Sequence, residues 1–215
     1  MKAVIFDMDG VIFDSERAYI ECWEPIDNKY QIPDLKETLL KCIGVTSDVS
    51  KNIFLKKYGE DFPLDEYRKI AGQGMAELVE SGKLEKKPGI VELLVYLKNE
   101  GIALAVASST KTETVKWELD LAGLKDYFDV IIGGDMVKKS KPNPDIFLEA
   151  AKKLGANPSQ CVVIEDSFNG IRAAKAAKMT AYMVPDLLAP DDEMREKADE
   201  IFASLIEVKK YLECL

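Results

Sequence analysis

The chain has 215 residues, of which 47% are hydrophobic and 31% charged, with a formal net charge of −9; that is enough for a sizeable core in one domain with a large insertion or in two small domains. The acidic balance argues against a nucleic-acid partner, which calls for a basic stripe, so any phosphate site must be made positive locally. Histidine is absent altogether, which excludes Ser-His and Cys-His nucleophile systems and imidazole metal sites; carboxylates, lysine, hydroxyls and a hard cation are left to carry any catalysis.

In chain order, Ala3 to Phe6 is an apolar run that predicts a short strand buried on both faces, as in the middle of a parallel sheet. Asp7 and Asp9 follow, separated by one residue, and Gly10 supplies a position that tolerates unusual dihedrals or lets a ligand approach the backbone. Taken alone, Asp-x-Asp-Gly reads as a polar turn after a strand. The chain opens directly into this strand, so no signal peptide is expected, and no apolar run is long enough to span a membrane. Cys22, Cys42, Cys161 and Cys214 are scattered without a Cys-x-x-Cys pair, which fits structural thiols in a reducing cytoplasm.

From Asp14-Ser15 the pattern becomes helical. Tyr19, Cys22, Trp23, Ile26 and Tyr30 fall at helical spacing, and further helices are predicted from Leu35 to about Ile43, Val49 to Tyr58 and Leu64 to about Val79. Nothing between Ser15 and Lys83 resembles a strand, so residues 15–83 read as an insertion of about four helices. Gly72-Gln73-Gly74 interrupts the last of them, and a loop is expected there in preference to a kink.

Strands and helices alternate from Pro88 onward. Ile90, Leu93, Leu94 and Leu97 form the apolar stripe of a helix ended by Gly101, and Ile102 to Ala107 reads as a buried strand leading to Ser108 and Ser109. Thr110 and Glu113 have capping-box spacing, Val130 to Ile132 is a strand ending at Gly133-Gly134-Asp135, and Asn143-Pro144 reads as the cap and first position of the next helix. The strand Cys161 to Ile164 ends in Glu165-Asp166. A helix bearing Ala173, Ala174, Ala176 and Ala177 is expected to lie close on the sheet, followed by a strand from Thr180 to Val184 and a C-terminal helix from Ser204. This alternation predicts an α/β fold, a parallel sheet of about five strands with right-handed crossovers, with the core at residues 1–14 and 84–215 and an all-helical cap inserted at 15–83.

In such a sheet the polar strand tips lie on one edge: Asp7 and Asp9, Ser108, a loop with Lys141, and Glu165 with Asp166. Carboxylates on neighbouring tips repel by about 4 kcal/mol per pair at 4 Å and an effective dielectric near 20. A bound divalent cation resolves the repulsion, and all-oxygen ligation suits Mg²⁺. A carboxylate can then attack phosphorus and form an acyl phosphate, with Asp7, last on its strand, as nucleophile and Asp9 as alternating acid and base. Lys141 and Ser108 would hold the phosphoryl oxygens beside backbone N–H groups near Met8 to Gly10 and Ser109, while the cap excludes water and selects the substrate.

Asp7-Met8-Asp9-Gly10-Val11, Ala107-Ser108-Ser109, Lys141-Pro142-Asn143-Pro144-Asp145-Ile146-Phe147 and Ile164-Glu165-Asp166-Ser167 with Gly170-Ile171, in this order, resemble the haloacid dehalogenase superfamily, in its β-phosphoglucomutase-like and sugar-phosphatase branch. The resemblance covers essentially the whole chain. It implies a Rossmann-like core, doubly wound with strand order 3-2-1-4-5, an Asp7 nucleophile, an Asp9 acid/base, and Mg²⁺ held by Asp7, the Asp9 carbonyl and Asp166, with Glu165 beside the metal. An aspartate at position 9 is what the phosphatases and mutases share, so dehalogenation is set aside.

The mutases carry a cap histidine where this chain has Tyr19, and a cap arginine after Gly-Val, where Gly44-Val45 is followed here by Thr46-Ser47. Their cap lysine has no match near Ala71 to Gly74. Hydrolysis of a small phosphorylated metabolite, such as a sugar phosphate, is therefore expected, by a cytoplasmic monomer without nucleic-acid or membrane partners. A phosphosugar mutase is the alternative, and a phosphoacceptor module without turnover the more distant one. Arg17, Tyr19, Trp23 and the Gly72–Gly74 region are where substrate choice is expected to reside, and Lys178 stands where the resemblance calls for glycine.

Overall fold

A computed structural model describes residues 1–45 and 47–214, which form two compact units, Met1–Phe13 with Lys86–Leu215 and Asp14–Glu85. The first unit is built on a parallel sheet of β1 (Ala3–Phe6), β2 (Ala103–Ala107), β3 (Val130–Ile132), β4 (Cys161–Glu165), β5 (Thr180–Met183) and β6 (Glu200–Ile201). Their order is β3-β2-β1-β4-β5-β6. β1 is central and fully buried, which is why it carries no polar alternation. Phe6 stands opposite Val106 on one side and Ile164 on the other, so the chain leaves β1, β2 and β4 at one level of the same edge.

Helices α6 (Ile90–Asn99), α7 (Thr112–Leu121), α8 (Asp145–Lys153), α9 (Phe168–Ala176), α10 (Asp192–Lys197) and α11 (Leu205–Leu212) complete this unit. Ala3 and Ile5 share a buried cluster with Ala105, Ala107, Phe147, Ile171, Ala173 and Ala174, while Val4 and Phe6 point to the opposite face. Ala173, Ala174 and Ala177 pack inward as expected, but Ala176 is exposed.

The sixth strand goes beyond the predicted five, and two residues are too few to show a period. It is fixed from outside the strand: the Asp199 carboxylate accepts from the Ala181 N–H at 2.7 Å and pairs with Lys175 at 2.7 Å. Three helices of this unit are followed by a left-handed glycine (Gly101, Gly123, Gly155), whereas the equivalent residue after α9 is Lys178 at φ 59°. A side chain there is strained, which accounts for the glycine that the resemblance calls for.

The second unit comprises α1 (Ser15–Cys22), α2 (Glu24–Tyr30), α3 (Leu35–Leu40), α4 (Ser47–Tyr58) and α5 (Leu64–Glu80), five helices against the expected four. The single helix expected through Tyr30 breaks at Trp23, because Pro25 in the first turn of α2 lacks the N–H needed to continue α1. Trp23 is 1% exposed and organises the interior, stacking on Phe54 at 5.5 Å with Tyr19 and Tyr67 edge-on. The expected loop at Gly72–Gly74 does not form. α5 runs straight through it, with Ala71 fully buried and Gly74 facing Cys22, where a Cβ would lie 3.1 Å from its Sγ. Close approach of α1 at Gly74 offsets the helix-propensity cost of that glycine, about 1 kcal/mol. No helix among the described residues is long and apolar enough to cross a membrane.

Candidate active site

The site grows from the end of β1. The Asp7 N–H donates to Ile164 O at 2.9 Å, extending the β1–β4 ladder by one residue, so the backbone beneath this carboxylate is held by the sheet. Beyond it the chain coils tightly: Ile12 N–H donates to Met8 O at 2.8 Å and Gly10 N–H to Phe13 O at 3.0 Å. Gly10 has φ 75°, and a Cβ on it would run into the Asp166 carboxylate. Its N–H, expected to face the substrate, is spent inside the loop; what Gly10 supplies is room for Asp166.

Lys141 arrives from the loop before α8, where the Lys141–Pro142 peptide is cis. Its ammonium is 7% exposed and bonds Asp7 Oδ1 at 2.7 Å and Glu165 Oε1 at 2.8 Å. It also lies 5.1 Å from the centre of the Phe147 ring. Burial alone would lower the Lys141 pKa, but the charges of Asp7 and Glu165 prevail and hold it above the ordinary lysine value. Asn143 and Pro144 do not cap α8 as expected: Pro144 itself precedes the helix, and the Asn143 amide donates to Ser140 O at 3.0 Å, bracing the loop that carries Lys141.

Glu165 is fully buried; its second oxygen accepts the Ser167 N–H at 2.6 Å, and Gly170 makes room for the carboxylate, since a Cβ there would overlap it. Asp7, Glu165 and Asp166 each offer an oxygen, and these atoms lie within 4.8 Å of one another. Burial, reinforced by the charges of Glu165 and Asp9 and only partly countered by Lys141, pushes the Asp7 pKa up to about 7. The cluster thus holds more negative charge than one ammonium offsets. An all-oxygen donor set, a cradle kept open by Gly10 and an aspartate that retains a proton without a further cation fit a hard divalent ion.

The Asp9 carboxylate takes a different direction. Its Oδ2 accepts from the Thr110 hydroxyl at 3.1 Å and from the Ser108 hydroxyl at 3.5 Å. Ser108 is fully buried, with its N–H on Ile132 O at 3.0 Å, and Ser109 is exposed. The structure therefore gathers Asp7, Lys141, Glu165 and Asp166 in one cluster and sets Asp9 beside it against Ser108, with Ser109 at the rim.

Sequence reasoning missed Thr110 and assigned it to a capping box. The cap of α7 comes instead from Asp135, whose Oδ1 accepts both the N–H and the hydroxyl of Thr112 at 2.7 Å. Glu118, half-buried on α7, was also missed; burial and the Asp9 charge push its pKa up to about 7. A lone acid in a helix carries no sequence signal for this, whereas Asp135 directly after Gly133-Gly134 marks a strand-end cap.

Residues 4–184 match the model of the haloacid dehalogenase-like hydrolases. A phosphorylated carbohydrates phosphatase from Thermotoga maritima is 35% identical, the alignment covering 82% of each chain. Hexitol phosphatase B from Escherichia coli K12 is 29% identical over 96% of this chain and 93% of its own. Among solved structures, β-phosphoglucomutase from Clostridium difficile superposes with a TM-score of 0.77 at 28% identity, covering 99% of this chain and 96% of that one.

Proposed function

Since this chain belongs to the haloacid dehalogenase-like hydrolase family, we propose that it is a Mg²⁺-dependent phosphomonoesterase that works through an aspartyl phosphate on Asp7 and acts, as a monomer, on a small phosphorylated carbohydrate. The observation that carries this reading is the Asp7 carboxylate: buried at a strand end, anchored by the sheet, and bonded through one oxygen to an ammonium that Glu165 holds from the other side. Asp7 attacks phosphorus, an Asp7 O–P bond forms, and the ester P–O bond breaks. Asp9 gives its proton to the departing alkoxide oxygen. It then takes a proton from the water that attacks the phosphorylated Asp7, releasing inorganic phosphate and returning Asp7 to the carboxylate.

Lys141 keeps Asp7 oriented and lies where it can neutralise a phosphoryl oxygen, with Ser108 and the Ser109 N–H as further donors. Asp7, Asp166 and the Asp9 carbonyl would hold a divalent ion, which would supply charge neutralisation for the phosphoryl group, and Glu165, already bonded to Lys141 and Ser167, would stand beside it. The name of the Thermotoga relative supports a phosphorylated carbohydrate as substrate class. The helical unit is the proposed cap.

A screen of hexose, pentose and hexitol phosphates with Mg²⁺, read by phosphate release, tests the reading. Multiple turnovers are expected, and a loss of at least about 10³-fold in Asp7→Asn. Activity that needs a bisphosphate activator and conserves organic phosphate would replace the hydrolase with the mutase alternative.

A further inference from the structure

Thr110 takes no part in the mechanism above, yet its hydroxyl is the shorter of the two bonds to Asp9 Oδ2, 3.1 Å against 3.5 Å for Ser108. Its backbone is held at both polar groups. The Thr110 N–H donates to Ser108 Oγ at 3.1 Å and its carbonyl accepts the Gly134 N–H at 2.9 Å. Two residues on, Asp135 ties down Thr112 through both its N–H and its hydroxyl.

The loop beyond β3 is moulded to this purpose. A Cβ on Gly133 would overlap Thr112, and one on Gly134 would overlap the carbonyl of Ser109. The β2–α7 loop is thus clamped against the end of β3, and from this clamped segment the Thr110 hydroxyl reaches the second aspartate at 3.1 Å.

We propose that Thr110 is a positioning residue that sets the Asp9 carboxylate for proton transfer to and from the ester oxygen. A carboxylate on a loop has two torsions to settle, and a hydroxyl from a rigid neighbouring loop removes much of that freedom before substrate arrives. The hydroxyl is also suited to both halves of the cycle, since it donates to the ionised acid and accepts from the protonated one. Ser108 Oγ, which accepts the Thr110 N–H and reaches Asp9 only at 3.5 Å, is the longer and weaker of these two donors. The proposal rests on Asp9 being the acid/base.

Aryl phosphates of graded leaving-group basicity, from p-nitrophenyl to phenyl phosphate, test it through kcat/KM, which reports transfer to the nucleophile. A nitrophenolate departs without a proton, whereas the more basic phenolate draws on the acid. Thr110→Val is expected to cost phenyl phosphate about 10-fold more than p-nitrophenyl phosphate, the effect of one charge-assisted hydrogen bond. Thr110→Ser should restore the ratio to within about 3-fold, and Thr110→Ala, should the valine variant not fold, should reproduce the selective loss. Equal losses on all substrates, or none, while Asp9→Asn remains selective, overturn the role of Thr110 and leave Asp9 standing. If Asp9→Asn itself shows no leaving-group selectivity, the acid/base reading falls and the proposal with it. A merely structural role would lower every substrate alike.

Discussion

Both units have apolar cores, but they differ in what else they bury. The interior of the helical unit is aromatic, with Trp23, Phe54 and Tyr67 packed together and the buried Thr38 bonded to Asp34 O and Tyr58. The core unit buries Asp7, Lys141, Glu165 and Asp166 side by side at one sheet edge. Apolar contacts lower the free energy wherever they form. Charges removed from water cost several kcal/mol each unless they are paired. A cluster with more carboxylate than ammonium is therefore a place where stability is given up for chemistry, and the aromatic interior is where stability is collected.

Substitution separates the two most sharply. Asp7→Asn should abolish phosphate release yet leave the metal-free melting temperature at pH 8 unchanged or higher, because the native state resists ionising Asp7. Trp23→Ala should cost the helical unit about 3–5 kcal/mol by opening a cavity. Calorimetry of both variants checks the contrast; a large loss of stability in Asp7→Asn would erase it.

A smaller effect comes from pH and metal. Asp7 has a folded-state pKa of about 7 against an ordinary value of 3.8, so the native state binds its proton more tightly than the unfolded chain. The stability this contributes is fully present below about pH 4 and lost as pH rises through about 7, and Glu118 adds a slope of the same sign. In chelator, the melting temperature should carry a downward component from pH 4 to pH 8 that is weaker in Asp7→Asn. Mg²⁺ at pH 8 should recover about 2.7 kcal/mol at 100 times its dissociation constant. An identical slope in the variant, or no shift with Mg²⁺, would break the assignment of strain to this cluster.

The smallest effect lies at an exposed turn after α9. Lys178→Gly, which relieves the left-handed strain at φ 59°, should raise stability by about 1 kcal/mol without altering turnover. Chemical denaturation of the variant measures it, and a destabilised variant would show that the Lys178 side chain contributes more than its backbone strain costs.

The core was readable because its strands are short, apolar on both faces and end in polar residues, and because a parallel sheet sends every such end to one edge. That logic alone places Asp7, Ser108, Lys141, Glu165 and Asp166 near one another. It fails where the determinant is a contact with another element. β6 exists because Asp199 reaches Ala181 and Lys175. α5 runs on through Gly74, where Cys22 of α1 lies in the space a side chain would fill. Thr110 was misread for the same reason, its spacing to Glu113 suggesting a local cap while its hydroxyl bonds Asp9, 101 residues away. The Gly10 amide was likewise read from its neighbours, and the carbonyl of Phe13 had the stronger claim.

The central claim, that Asp7 takes the phosphoryl group, is tested most directly by a crystal structure of the protein with Mg²⁺ and beryllium trifluoride, a mimic of an acyl phosphate. The account predicts beryllium bonded to an Asp7 carboxylate oxygen, with Lys141 against a fluoride and the metal between Asp7 and Asp166. Beryllium trifluoride bound to another carboxylate, with Asp7 unmodified, would contradict it.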